Sequence, residues 1–142
     1  MDMAQAVIAA GLAIGVGCRR GHPCERIVAL VERARALVPP TIAPTPARLC
    51  TLDRKDDDGL RQAAAALGLP LVYLPIEALR EAEPRIQTPS LAAKTRFGIA
   101  SVSEAAALAL AGPFSRLVVA RISDGGATCA IAACMEHEGE VS

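Results

Sequence analysis

The chain has 142 residues, the size of one domain in the usual ~100–200 residue range. It reads as a single unit over 1–142, with 1–10 as a lead-in. Hydrophobic residues are 52% and charged residues 21%, with 29 alanines, three aromatics (Tyr73, Phe97, Phe114) and no Trp; this excludes a disordered chain and implies a core of small and branched aliphatics. Fifteen basic and fifteen acidic residues cancel, so the basic surplus of a nucleic-acid binder and the stacking aromatics of a single-strand binder are both missing.

Leu12 to Val16 is a short apolar run that predicts a buried strand. Gly17-Cys18-Arg19-Arg20-Gly21 follows, and Pro23 suits the first turn of a helix, where its missing N–H costs nothing. In that helix Ile27, Val31, Ala34 and Val38 share one face, and Pro39-Pro40 stops it. Ala47–Leu52 predicts a second strand that delivers Asp53-Arg54-Lys55-Asp56-Asp57-Asp58 at its carboxyl end. The next helix carries Leu60, Ala63, Ala64 and Leu67 on one face and stops at Gly68. Leu69–Leu74 is a third strand with Pro70 near its start, and a short helix from Ile76 ends before Pro84.

Pro89-Ser90 opens a brief helix through Lys94. Ser101-Val102-Ser103-Glu104 has the Ser-x-x-Glu form of a capping box ahead of an alanine-rich helix that ends at Gly112-Pro113. Leu117–Ile122 and Ala127–Ala133, joined through Ser123-Asp124-Gly125-Gly126, read as a C-terminal antiparallel hairpin. Strands alternating with helices, then a hairpin, predict an α/β sandwich around a mostly parallel sheet of about five strands. Ligands on such sheets gather at the carboxyl ends of the strands.

The longest uncharged apolar run, Ala6 to Val16, is shorter than the ~20 residues a bilayer span needs. The start Met1-Asp2-Met3 lacks the positive charge of a secretory signal, so a cytoplasmic protein is expected. Five cysteines (Cys18, Cys24, Cys50, Cys129, Cys134) without a Cys-x-x-Cys pair read as reduced thiols packed as small hydrophobes. Cys18, His22 and Cys24 are close in sequence, but three ligands without a fourth make a weak zinc site. No resident metal or cofactor is expected.

The strongest local signal is Gly15-Val16-Gly17-Cys18-Arg19-Arg20-Gly21 between strand and helix. Glycines let backbone amides approach an anion at a helix start, and Arg19 and Arg20 add forked donors for carboxylate or phosphate. The same residues also make a tight strand-to-helix turn with two solvated arginines, and spacing alone does not choose. Gly21 lies one residue too far for the dinucleotide fingerprint, although Asp53 stands where a ribose-binding acid would. Lys55 among its acids is either an anion contact or part of a solvated loop. Lys94 and Arg96 extend a basic rim or are simply solvated. Ser101 and Glu104 are ligand contacts or only the capping box.

Several of these segments, taken in order, resemble one family. They are the Gly15–Gly21 run, Lys55 with the acids before Gly59-Leu60, Leu69-Pro70-Leu71, and Gly98-Ile99-Ala100-Ser101-Val102-Ser103-Glu104-Ala105-Ala106-Ala107. Together they resemble the cobalamin-biosynthesis family formed by the C-terminal domain of cobalt-precorrin-5A hydrolase (CbiG) and the stand-alone CobE protein. The likeness covers roughly residues 11–133, and His22-Pro23-Cys24 departs from the family's small hydroxylated or acidic helix opening.

The resemblance implies a three-layer α/β/α fold and a role in cobalamin (vitamin B12) biosynthesis. It implies a precorrin or cobalt-precorrin intermediate as partner, with other corrin-pathway enzymes as further partners. The longer hydrolase relative is associated with opening a ring lactone and releasing a two-carbon fragment; this chain matches only its C-terminal portion. Early corrinoids are flat and edged with acetate and propionate groups, which suits Gly15, Gly17, Cys18, Arg19, Arg20 and Gly21, with Lys55, Ser101 and Glu104, as a ligand-binding set. Three readings remain open on the residues: a precorrin-binding or carrier protein, a lactone-opening hydrolase, and a nucleotide-cofactor module built on the glycines and Asp53.

Overall fold

The computed structural model describes residues 11–43, 45–53 and 58–134, with only the backbone of Arg96 and Phe97. The expected lead-in over 1–10, the Lys55 loop and His137 lie outside the described residues. Strands are β1 (Leu12–Cys18), β2 (Ala47–Leu52), β3 (Leu71–Leu74), β4 (Ser115–Ser123) and β5 (Ala127–Cys134). Helices are α1 (Cys24–Ala36), α2 (Asp58–Leu67), α3 (Ile76–Ala82), α4 (Leu91–Phe97) and α5 (Val102–Ala111), with a 3₁₀ turn at Glu83–Arg85. Pro23 is the N-cap of α1 rather than a first-turn residue, and Pro70 shortens the third strand.

The five strands form one sheet in the order β3-β2-β1-β5-β4. β1 pairs with β2, and β2 with β3, in parallel; β5 runs antiparallel to both β1 and β4. The sheet is therefore mixed, which corrects the expectation of a mostly parallel one. The hairpin itself forms as expected, but its second strand inserts beside β1 and leaves β4 at the edge. Burial explains the choice. β5 reads Ala-Thr-Cys-Ala-Ile-Ala-Ala-Cys without a charge and is covered on both faces, whereas β4 carries Arg116 and Arg121 and suits an edge.

Alternation along β1 sorts the core into two layers. Leu12, Ile14 and Val16 meet Ile27, Leu30, Val31 and Ala34 of α1 and Leu60 and Ala63 of α2. On the other face Ala13 meets Leu79 and Ala82 of α3 and Val102, Ala105, Ala106 and Leu108 of α5. Helices thus cover both faces of the sheet, giving the three-layer sandwich. Among the described residues no helix is long and apolar enough to cross a membrane.

α5 lies unusually close to β1. A Cβ on Gly15 would overlap the Ser103 carbonyl oxygen and stand 2.8 Å from the Ala107 nitrogen. Both are backbone atoms of a buried helix, so neither can yield cheaply. Gly15→Ala is expected to lower stability by about 1–3 kcal/mol through overpacking. Urea unfolding checks this, and an unchanged midpoint would contradict the close approach.

Candidate functional site

A cleft of about 240 Å³ opens where β1 and β4 end and β5 begins. One wall is Gly17, Cys18 and Arg19 at the end of β1, with Arg121, Ser123, Gly125, Gly126, Ala127 and Thr128 of the hairpin. Facing them are Ser90, Ala92 and Ala93 at the start of α4 and Ser101 and Val102 at the start of α5. The early amides of α5 have no preceding turn to accept from them, and the helix dipole adds positive potential there.

Two carboxylates, Glu104 fully buried and Asp124 half-buried, hold this architecture, and neither lines the cleft. The Ser101 hydroxyl accepts from the Glu104 N–H at 3.4 Å, which is the expected first half of a capping box. The Glu104 side chain does not return the bond. Its Oε1 accepts from the Gln87 and Thr88 N–H groups at 2.8 Å each, and its Oε2 accepts from the Thr88 hydroxyl and the Arg121 N–H at 2.9 Å each. One fully buried carboxylate therefore ties the segment leading into α4 to β4, joining opposite walls. Burial pushes its carboxyl pKa up, but the N–H groups of Arg121, Thr88 and Gln87 and the Thr88 hydroxyl outweigh that and hold it below the usual range.

Asp124 does the same for the hairpin turn. Its Oδ1 accepts from Gly126 and Ala127 N–H at 3.0 and 2.8 Å, and its Oδ2 lies 3.1 Å from His22 Nε2 and 3.4 Å from Arg26 Nε. Burial opposes its charge, yet the Gly126 and Ala127 amides and His22 bring its pKa down to about 2. The His22 ring fills the space that a Cβ on Gly126 would need. His22 thus joins the glycine loop to the hairpin. Among the described residues no group of three His, Cys, Asp or Glu is placed to hold a metal. Burial pushes the Cys50 thiol far up, with the nearby Cys129 adding to it, and the Cys129 thiol up to about 12, so both stay protonated and unreactive.

Of the residues singled out in the sequence, Gly17, Cys18, Arg19 and Ser101 line the cleft. Gly15 lies beneath α5, and Arg20 and Gly21 are not among the lining residues. Glu104 stands behind the walls, and Lys55 is outside the described residues. Asp53 is exposed at the end of β2 and also outside the lining, and Lys94 pairs with Glu83 at 3.1 Å. Sequence reasoning missed Arg121, Ser90, Ser123 and Thr128. The signal for Arg121 was present: an arginine near the carboxyl end of a strand, directly after the apolar run Leu117-Val118-Val119-Ala120.

The depressed carboxylates set an acid limit. Asp124 and Glu104 bind protons less readily when folded, so their stabilisation is complete above the unfolded carboxylate range near pH ~4 and is lost as pH falls through their lowered folded values, about 2 for Asp124. Glu104→Gln places an amide N–H₂ against N–H donors and is expected to cost about 2–3 kcal/mol at neutral pH. It should also flatten the acid loss below pH ~4 relative to the parent. Urea midpoints across pH measure both; an unchanged acid slope would remove Glu104 from this role.

Comparison with known proteins gives the family. The family model described as "Cobalamin synthesis G C-terminus" matches residues 12–132. Protein CobE of Sinorhizobium sp is 35% identical over 125 residues, 87% of this chain and 80% of that protein. The cobalt-precorrin-5A hydrolase of Priestia megaterium is 32% identical over 122 residues, 85% of this chain but only 32% of the hydrolase. The 1.7 Å crystal structure of CobE, a protein from the cobalamin (vitamin B12) biosynthetic pathway, superposes with TM-score 0.76 at 39% identity, covering 86% of this chain and 89% of that one. The cobalamin biosynthesis protein ChiG from Agrobacterium tumefaciens str. C58 does so with TM-score 0.64 at 32% identity, covering 87% and 98%. The chain spans about a third of the hydrolase and most of CobE, and these relatives place it in cobalamin biosynthesis. It belongs to the cobalamin synthesis G C-terminal family, which takes in CobE and the C-terminal part of CbiG.

Proposed function

We propose that the protein binds a polycarboxylated precorrin or cobalt-precorrin by one carboxylate-bearing edge. Charge segregation carries the reading. In a chain of zero net charge, the described lining of the cleft includes Arg19 and Arg121 and no carboxylate-bearing residue. The hydroxyls of Ser90, Ser101 and Ser123 accept from backbone N–H groups and keep a proton to donate, whereas the Thr128 hydroxyl donates its own to the Gly17 carbonyl at 3.5 Å. Arginine presents paired N–H groups that match a carboxylate's two oxygens. At about 240 Å³ the cleft is smaller than the roughly 300–1,000 Å³ that encloses a drug-sized ligand, so it takes part of a macrocycle rather than all of it.

Binding or carriage, rather than hydrolysis, is the reading these groups support. Opening a lactone calls for a base to activate water, and among the described lining residues there is no histidine or carboxylate. The hydrolase name belongs to a protein of which this chain matches about a third. The dinucleotide reading loses its acid, since Asp53 lies outside the cleft.

Titration with purified pathway intermediates is expected to perturb the tetrapyrrole absorption spectrum. Arg19→Ala with Arg121→Ala should weaken binding about 100-fold or more, at about 1.5–3 kcal/mol for each charge-assisted contact. Arg20→Ala should leave it near the parent value, and added salt should weaken it. Product mass read on the same samples separates a carrier, with unchanged mass, from a hydrolase, with loss of a two-carbon unit. Parent-like binding by the double variant would contradict the proposal.

A further inference from the structure

α4 is anomalous for a helix in so small a domain. None of its described side chains joins either core layer. Local bonds hold it: the Ser90 N–H donates to the Ala100 carbonyl at 2.8 Å, the Ser90 hydroxyl accepts from Ala93 N–H at 3.2 Å, and Lys94 pairs with Glu83. Glu104 anchors the segment just before it through Gln87 and Thr88. Its first residue, Leu91, is 83% exposed, the most exposed of the three large hydrophobics left on the described surface. Leu91 sits between Ser90 and Ala92, both of which line the cleft, and Ala92 is exposed too.

A helix that adds nothing to the core, is pinned by a buried carboxylate and shows a leucine at the rim of a cationic cleft has the form of a platform. We infer that Leu91 and Ala92 are the apolar ledge on which the ring face of the ligand rests while one of its edge carboxylates enters between Arg19 and Arg121. The inference rests on the carboxylate-binding reading above and adds the ligand's second requirement. The cleft is too small for a macrocycle, so the ring must lie outside it, and a flat apolar ring leaving water needs apolar surface adjoining the charge pair. Such a ledge would favour a carboxylate-edged macrocycle over a ringless polycarboxylate. Among the described lining residues there is no aromatic, so aliphatic contact supplies the ring's partner.

Uroporphyrin, a flat ring edged by acetate and propionate groups, is the probe, with succinate as the ringless carboxylate. The protein has no Trp, so the ring's own absorbance and fluorescence report binding. Leu91→Ser is expected to weaken uroporphyrin roughly tenfold or more, from the lost burial of one leucine. Succinate binding, followed by amide chemical shifts, should be unchanged, and Leu91→Phe should retain uroporphyrin. Arg19→Ala with Arg121→Ala should weaken both ligands. Because Leu91 is exposed, its variants should keep the parent's thermal midpoint. Parent-like uroporphyrin binding by Leu91→Ser, with the arginine variant weakened, would overturn the ledge and leave the carboxylate reading standing. A parent protein that binds neither probe would overturn both.

Discussion

The α-carbon of Gly15 lies against the Ser103 carbonyl of α5, so a strand and a helix meet backbone to backbone at the centre of the domain. Much else follows from that contact. A helix seated so deeply is buried from Val102 to Leu108, and its alanines are what the narrow gap allows. Its amino end is drawn to the end of β1, where Ser101 and Val102 become a wall of the cleft. The scarcity of aromatics is part of the same solution, since bulky rings would hold the layers apart.

Burying that helix also buries Glu104, and a buried carboxylate needs its hydrogen bonds supplied. The segment entering α4 and the edge strand β4 supply them. Across the cleft Asp124 organises the hairpin turn and holds it to the glycine loop through His22. Both of these carboxylates are therefore engaged in the scaffold. Arg19 and Arg121 line a space whose described lining has no opposing carboxylate. Neutrality overall thus coexists with a locally cationic cleft.

Much of the scaffold was legible residue by residue. Periodicity located the strands and helices, Gly68 and Gly112 marked helix ends, and the Asp124-Gly125 turn announced the hairpin. Ser101 capped its helix as its spacing implies. Within the candidate site, Gly17, Cys18, Arg19 and Ser101 were visible because a strand end followed by a helix start concentrates such residues. Gly15 was visible for a different reason than the one it serves, since a glycine that admits a ligand and one that admits a helix look alike in sequence. Glu104 was read as a cap because the capping-box pattern is local, and its actual partners at 87, 88 and 121 are not.

What the sequence determined by itself is the set of local elements, the neutral charge balance, the small-residue core and the family signature. These depend on nearest neighbours, on residue size and on spacing within a turn or a strand. The tertiary structure alone decided that β5 rather than β4 docks on β1, which makes the sheet mixed. It also decided that Arg121 stands across from α4, and that His22 meets Asp124, 102 residues away. The reason is physical: a strand's place in a sheet is settled by which faces the surrounding layers cover, and that burial exists only once the chain has folded.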